Sequence, residues 1–267
     1  MPVKLFYRKY GAGPPLVILH GLYGSSDNWV TIAKNISDYC TIYLPDLRNH
    51  GNSPHNERHD YKSMSDDLFE LVTDLGLKKF SIAGHSMGGK TAMLFSSRWP
   101  EMLNGMLIAD ISPFTDERRN AAGRIENLLI LKSMLGIDLS KALSRKEVEL
   151  SLERDIHSDR VRELIMKNLR RNGGNNFEWK LNVPALLNNL DNIVERVHFP
   201  AVGNHQITGF PVIFLKGENS DYIKPEEFSD ITRIFPAAEL KTIKNAGHWL
   251  QADNPQAVTE ALLDLVR

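Results

Sequence analysis

A serine flanked by glycines, between an apolar run and a helical segment, is the feature that most restricts the fold of this chain. The segment Gly84-His85-Ser86-Met87-Gly88 directly follows the apolar run FSIA and precedes residues with helical spacing. A G-x-S-x-G pattern between a strand and a helix is typical of a sharp turn that exposes a nucleophilic serine at the edge of a sheet. Such a turn crowds the positions two before and two after the serine, and glycine relieves that crowding. We therefore predict Ser86 as a nucleophile.

Apolar runs and helical segments alternate on both sides of this serine. Five short runs rich in β-branched residues are typical of buried parallel strands, namely residues 16–19, 41–44, 80–83, 106–109 and 212–215. Between them, segments such as 63–75 and 87–99 have helical spacing and stop signals. Residues 3–10 are expected to pair at the edge of the sheet. This alternation predicts an α/β fold with a doubly wound, mostly parallel sheet.

The alternation resumes at Pro211, continues through 225–235 and 240–243, and ends in a helix at 255–266, but it is interrupted from Pro113 to Pro211. In between, apolar residues at three- and four-residue spacing predict helices at 124–135, 145–156, 159–171 and 183–197, with a turn at Gly173-Gly174 and no convincing strand. We therefore expect a helical cap at 114–205, inserted into a core formed by residues 1–113 and 206–267.

Charge and composition restrict the partners of the chain. The 32 basic and 33 acidic residues give a formal net charge of -1, so no overall field favours nucleic acid or an anionic membrane. All apolar runs are far shorter than the roughly 20 residues of a membrane-spanning helix. The single cysteine, Cys40, and a start without the apolar centre of a signal peptide make a cytoplasmic location the expectation. A small molecule is the expected partner, and the oligomeric state is left open.

The loop after the first core strand contains a second chemical signal. The segment HGLYG at 20–24 directly follows the apolar run LVIL. Acyl transfer creates a negatively charged oxygen, and the backbone N–H groups of Leu22 and Met87 are the natural pair of donors to it. His20 is interpreted as a buried hydrogen-bonding residue that shapes the loop.

Of the nine histidines, only His248 lies in a loop near the C-terminus, where the order serine, acid, histidine requires the base. An imidazole suits this role because it titrates near neutrality. His85 is expected to pack against the site or line it. Three further histidines, at 50, 55 and 59, are interpreted as polar side chains of a solvated loop. Their spacing does not support a metal site, and we expect neither a metal nor a cofactor.

Two carboxylates compete for the role of the acid that orients the imidazole. Asp110 ends the run GMLIAD, whereas Asp221 lies one residue beyond the usual position of the acid, which is occupied by Ser220. We prefer Asp110, with Ser220 in a supporting hydrogen bond near the same imidazole. Asp221 is the main alternative, and Asp191 is less favoured because it lies within the expected cap.

Six segments, in order along the chain, carry a resemblance to a known family: HGLYGSSDNW, PDLRNHGNSP, GHSMGGKTAM, ADISP, GENS and NAGHW. They resemble the YbfF-type bacterial esterases and the abhydrolase domain-containing protein 11 group of the α/β-hydrolase superfamily. The likeness extends over nearly the whole chain and is strongest at 16–113. It implies an α/β-hydrolase fold with a helical cap, hydrolysis of carboxylic esters, and fatty-acyl thioesters as further substrates. The serine of GENS belongs to the family pattern, which favours Asp110 together with Ser220.

Together these residues predict a serine hydrolase that cleaves carboxylic esters, or acyl thioesters such as acyl-CoA, through an acyl-enzyme. A perhydrolase, a carbon-carbon bond hydrolase and a non-catalytic ligand-binding scaffold are the alternatives. Arg48 and Lys90 are candidates for binding an anionic substrate, although structural pairing is the preferred interpretation. Three aromatic residues are assigned either to an acyl pocket or to the core: Tyr23, Phe114 and Trp249.

Overall fold

A seven-stranded sheet forms the centre of the molecule, in a computed structural model that describes residues 1–115, 117–174, 176–199 and 206–267. The strands are β1 (Tyr7–Tyr10), β2 (Pro15–Leu19), β3 (Thr41–Pro45), β4 (Phe80–His85), β5 (Leu103–Ala109), β6 (Leu169–Arg171), β7 (Phe177–Trp179), β8 (Val212–Gly217) and β9 (Ala238–Ile243). Of these, β6 and β7 lie outside the seven-stranded sheet. The order in the sheet is β1-β3-β2-β4-β5-β8-β9. Within this sheet, only β1 is antiparallel to its neighbour. The predicted α/β fold and the predicted edge strand are therefore confirmed.

Helices follow most strands. They are α1 (Val30–Ile36), α2 (Tyr61–Asp74), α3 (Met87–Arg98), α4 (Glu117–Gly136), α5 (Arg145–Glu153), α6 (Asp159–Met166), α7 (Val183–Asn188), α8 (Leu190–Val194), α9 (Phe228–Ile234), α10 (Leu250–Asp253) and α11 (Pro255–Val266). Side-chain caps stabilise the first turn of several helices. For example, the Asp60 carboxylate at the start of α2 accepts a hydrogen bond from the Ser63 N–H at 2.6 Å. Among the described residues, no helix combines the length and apolarity needed to span a bilayer.

Apolar side chains cover both faces of the sheet. Along β2, Val17 and Leu19 belong to one buried cluster, whereas Leu16 and Ile18 belong to another. This two-residue period is the geometry of a strand whose faces are both buried. The first cluster includes residues of α2 and α3, and the second includes residues of α1 and α11. The sheet is thus rigidly held, and its strand ends are suitable points from which to position reactive groups.

The chain between β5 and β8 differs from the sequence prediction in its strands and in the ends of its helices. Helices α4 to α8 lie there, but β6 and β7 form an antiparallel hairpin in a segment expected to have no strand. The helix predicted at 159–171 ends at Met166, because Leu169 pairs with Trp179 and Arg171 pairs with Phe177. The helix predicted at 183–197 is divided into α7 and α8 and ends at Val194. Two three-residue strands are too short to show a two-residue period. The expected division into core and cap remains a prediction, and its boundary at 205 lies outside the described residues.

Candidate active site

Ser86 occupies the sharp turn between β4 and α3. Its backbone has φ 51 and ψ -116, a conformation that residues with a Cβ atom rarely adopt. The neighbouring glycines are required sterically. A Cβ at Gly84 would lie 2.4 Å from the Gly88 carbonyl oxygen, and a Cβ at Gly88 would lie 2.6 Å from the His20 carbonyl oxygen. The glycines predicted to relieve crowding therefore allow the turn to pack against the loop at 20–24, which we call the oxyanion loop after its predicted role.

Asp110 and His248 form a direct contact. The His248 Nδ1 atom lies 2.8 Å from Asp110 Oδ2, and the Asp110 side chain is fully buried. The Ser220 hydroxyl donates to the same carboxylate oxygen, and the Gly217 N–H donates to Oδ1 at 2.9 Å. This arrangement holds the imidazole with Nδ1 toward the acid, which leaves Nε2 for proton transfer.

The structure places the two alternative acids elsewhere. Asp221 is exposed and lines a cavity, and none of the described contacts joins it to His248. The Asp191 side chain is 77% exposed and pairs with Arg124 at 2.5 Å. Of the three candidate carboxylates, Asp110 is therefore the one brought to His248.

Two aromatic neighbours fix the position of His248. The Tyr222 ring stacks on the imidazole, with centroids 3.8 Å apart and planes 18° apart. His85 Nε2 lies 2.7 Å from the His248 carbonyl oxygen. Burial, together with the nearby His248, lowers the pKa of His85 to about 3. His85 is therefore neutral near pH 7 and can donate one hydrogen bond to that carbonyl. The sequence predicted packing for His85 but gave no signal for the stacking of Tyr222.

The predicted oxyanion donors lie beside the serine. Leu22, Ser86 and Met87 line the same cavity. Met87 is the first residue of α3, so its N–H has no acceptor within the helix and stands at the positive end of the helix dipole. On the other side, His20 Nε2 accepts a hydrogen bond from the Leu47 N–H at 2.9 Å. His20 thus has the structural role expected for it.

The interpretation of His50 and His59 as solvated loop residues is wrong. Both are completely buried, whereas His55 is exposed as expected. The loop folds inward because the Asp46 carboxylate accepts hydrogen bonds from the N–H groups of Ser26 and Asn52, at 2.6 and 2.8 Å. Burial lowers the pKa of His59 to about 3 and lowers that of His50 well below its usual range. Both are therefore neutral core residues, and His50 Nε2 accepts a hydrogen bond from the Tyr23 N–H at 3.3 Å.

A cavity of about 270 Å³ opens in front of Ser86. Tyr61 and Lys90, which precede β5, line one part of it. Phe114, Ile193 and Val194, from the segment between β5 and β8, line another part. Such a volume is small for a drug-sized ligand and suits a short substrate.

The remaining candidate residues either line the cavity or pack in the core. Tyr23 and Trp249 pack with the apolar cluster of the segment between β5 and β8 rather than lining the cavity. Arg48 is buried and binds Asp67 with two hydrogen bonds, at 2.6 and 2.7 Å, which confirms the structural interpretation. No cluster of three or more potential metal ligands occurs in the part of the chain that the structure describes.

Comparison with known proteins gives consistent matches. Residues 14–135 match the family model described as alpha/beta hydrolase fold. The chain is 34% identical over 255 residues to the sn-1-specific diacylglycerol lipase ABHD11 of Mus musculus, covering 93% of this chain and 80% of that protein. It is 29% identical over 248 residues to Esterase YbfF of Escherichia coli K12, covering 93% and 91%. A solved structure titled Marine microorganism esterase has a TM-score of 0.92 and 40% identity, covering 98% and 99%.

Proposed function

The chain belongs to the α/β-hydrolase family and is a hydrolase of the esterase and lipase type, and from this premise we propose that it cleaves carboxylic esters with Ser86 as nucleophile. His248 is the proposed general base, Asp110 the acid that orients it, and Ser220 the residue that supports the acid. The observation that carries the proposal is the 2.8 Å contact between His248 Nδ1 and Asp110 Oδ2, beside a serine on a strained turn.

The proposed reaction has two steps. His248 Nε2 accepts the proton of the Ser86 hydroxyl as its oxygen attacks the ester carbonyl, and the N–H groups of Leu22 and Met87 donate to the negatively charged oxygen. The C–O bond to the alcohol then breaks, and the alcohol leaves with the proton from His248. Water attacks the acyl-enzyme in the reverse sense, which releases the acid and restores Ser86.

The dimensions of the cavity support short acyl groups as substrates. A volume of about 270 Å³ is close to the lower limit of small-molecule pockets. Residues 114–205 are proposed to form a cap over this site, because Phe114, Ile193 and Val194 line the same cavity as Ser86. Thioesters with equally short acyl groups are proposed as a second substrate class, since the same acyl-enzyme forms from either leaving group.

Hydrolysis of p-nitrophenyl esters across acyl chain lengths tests the proposal. We expect turnover with an optimum at short chains. Ser86→Ala and Asp110→Asn should each lower kcat by about 10³-fold or more. Asp221→Asn is the matched control, because it makes the same chemical change in a neighbouring loop and should retain most of the activity. Each variant is checked for folding by circular dichroism.

Two outcomes would contradict the assignment. Full activity in folded Ser86→Ala would exclude the proposed nucleophile. Activity that survives Asp110→Asn but not Asp221→Asn would transfer the role of the acid to Asp221. Hydrolysis of short-chain acyl-CoA substrates, measured by the release of free thiol, tests the proposed thioester substrates separately.

A further inference from the structure

A buried lysine lies in the wall of the catalytic cavity, one helical turn after the candidate nucleophile. The N–H of Lys90 donates to the Ser86 carbonyl at 3.0 Å in α3, and its side chain lines the cavity. Lys90 is only 4% exposed. Its ammonium group donates to the carbonyl oxygens of Val194, at 3.4 Å, and Glu195. The Nζ atom also lies 5.5 Å from the centroid of the Tyr61 ring.

These contacts solvate the ammonium group without neutralising it. Carbonyl dipoles and an aromatic face stabilise a cation, but among the described residues no carboxylate lies within ion-pairing distance of Lys90 Nζ. An ammonium group has three protons, and the described part of the chain supplies two acceptors. A buried cation that has no negatively charged group beside it is energetically costly. A ligand with negative charge would remove that cost.

The position of Lys90 indicates which part of a substrate it would meet. The alcohol of the ester leaves toward His248, because it receives its proton from that residue. His248 contacts Tyr222 and Asp110, whereas Lys90 contacts Tyr61 and the residues at the end of α8. The acyl part of the ester therefore lies on the side of Lys90. One turn of helix spans about 5.4 Å, which suits a short spacer between the scissile carbonyl and a second polar group.

We propose that the preferred substrates are half-esters of short dicarboxylic acids, and that Lys90 binds their free carboxylate. This inference rests on the proposed esterase function of Ser86 and specifies its substrate class. The acidic residues that line the same cavity, Glu126 and Asp221, are exposed, whereas Lys90 is buried. A second cation, Arg119, also lines the cavity and is paired with Glu227. The buried charge of Lys90 therefore favours an anion at the buried end.

The protonation of Lys90 makes this preference depend on pH. The groups that face it are Tyr61 from α2, Arg119 from α4 and Glu195 after α8. Burial and the charge of Arg119 lower the pKa of Lys90 to about 8, while Glu195 opposes this shift. Burial raises the pKa of Tyr61, so its hydroxyl stays neutral. A simple carboxylate is ionised above about pH 6. The preference should therefore be largest about one pH unit or more below pH 8 and decline as the pH rises through 8.

The experiment compares monoethyl glutarate with its neutral carboxamide analogue, ethyl 4-carbamoylbutanoate, by ester hydrolysis in a pH-stat at pH 7. The measured quantity is the ratio of the two kcat/KM values. Wild type should favour the carboxylate by about tenfold or more. Lys90→Met should abolish that preference, and Lys90→Arg should retain it because the charge remains. Lys62→Met is the matched control, since Lys62 is 76% exposed and pairs with Asp66; its ratio should equal that of wild type.

The other possible results would overturn either the role of Lys90 or the proposed esterase function. A wild-type ratio near one, or a ratio retained in Lys90→Met, would overturn the role of Lys90 while leaving the esterase intact. Absence of hydrolysis of both glutarate esters and of p-nitrophenyl esters would instead overturn the proposed function. If Lys90→Met does not fold, the wild-type ratio is measured from pH 7 to 9.5, with Ser86→Ala as the blank. It should fall above about pH 8, and a constant ratio would contradict the inference.

Discussion

Three residues other than glycine at the candidate site have left-handed backbone conformations: Tyr23, Ser86 and Asp110, with φ values of 62, 51 and 51. Each such residue costs about 1–3 kcal/mol and keeps its conformation only where its surroundings enforce it. Here they do. The Ser86 N–H donates to the Ala109 carbonyl at 3.1 Å, and the Asp110 N–H donates to the Leu215 carbonyl at 2.8 Å. The sheet thus continues one hydrogen bond beyond β4 and β5 and fixes both side chains at the same edge.

The carboxylate of Asp110 accepts hydrogen bonds from three groups, and Ser220 supplies one of them. Ser220→Ala would remove that donor and keep the contact with His248. We expect kcat to fall by about 5- to 20-fold with little change in KM, because the acid remains but is held less firmly. Steady-state kinetics with a p-nitrophenyl ester measure this, and Ser220→Thr, which keeps a hydroxyl, is the control. An unchanged kcat in Ser220→Ala would show that the bond has no catalytic effect.

At this scale the sequence identifies candidate reactive residues better than their contacts. Ser86 and His248 follow from a motif and from the order of residues along the chain, because the turn requires glycine at fixed positions. Asp110 and Asp221 could not be separated by sequence, since a shift of one residue in a loop decides which carboxylate reaches the histidine. The stacking of Tyr222 on His248 depends on the same loop geometry and could not be predicted.

At the scale of elements, the close approach of α3 to β2 depends on Gly88. A Cβ there would lie 2.6 Å from the carbonyl oxygens of both Leu19 and His20, which are backbone atoms and cannot rotate away. We expect Gly88→Ala to lower the free energy of unfolding by about 3 kcal/mol or more. Gly136→Ala is the control: no atom lies within 4 Å of its Cβ position at the end of α4, so stability should stay within about 1 kcal/mol. Urea unfolding measures both, and equal effects would contradict this packing argument.

Tyr23 joins the oxyanion loop to the segment between β5 and β8. Its hydroxyl donates to Asn127 Oδ1 at 2.8 Å, and its carbonyl accepts from Asn168 Nδ2 at 2.8 Å. Because Leu22 precedes it directly, Tyr23→Phe should loosen the proposed oxyanion donor and lower kcat by about 3- to 10-fold. The control is Tyr39→Phe, at a tyrosine that is 57% exposed. Loss of stability without any change in kcat would show that the bond serves folding alone.

The length of an element decides whether its pattern can be recognised. The seven strands of the central sheet have four to seven residues. All seven were predicted or expected, although only residues 106–109 of β5 and 240–243 of β9 were recognised. The hairpin β6–β7 has three residues per strand and follows α6 with only two residues between them. Its apolar residues Leu169 and Phe177 face the buried cluster of the same segment, so their pairing depends on tertiary contacts.

At the scale of the whole molecule, folding buries four histidines of the described residues in neutral form. Burial lowers the pKa of each: His20, His50, His59 and His85. For His59 and His85 the folded-state pKa is about 3, whereas an unfolded histidine titrates near 6.5. Between these values the unfolded chain binds protons that the folded chain does not. The stability associated with these residues is therefore complete above about pH 6.5 and is lost as the pH falls toward 3.

The free energy of unfolding should consequently fall between pH 6.5 and 5, by up to about 1.4 kcal/mol per pH unit for each buried histidine. This window lies above the ordinary range of carboxyl groups, so histidines dominate it. Urea unfolding at closely spaced pH values measures the slope. His59→Gln should reduce it, because one proton-binding group disappears from the unfolded chain, whereas His55→Gln removes an exposed histidine and should leave it nearly unchanged. A stability that stays constant from pH 7 to 5 would show that these histidines already bind protons in the folded protein, and their neutral role in holding the oxyanion loop would then be wrong.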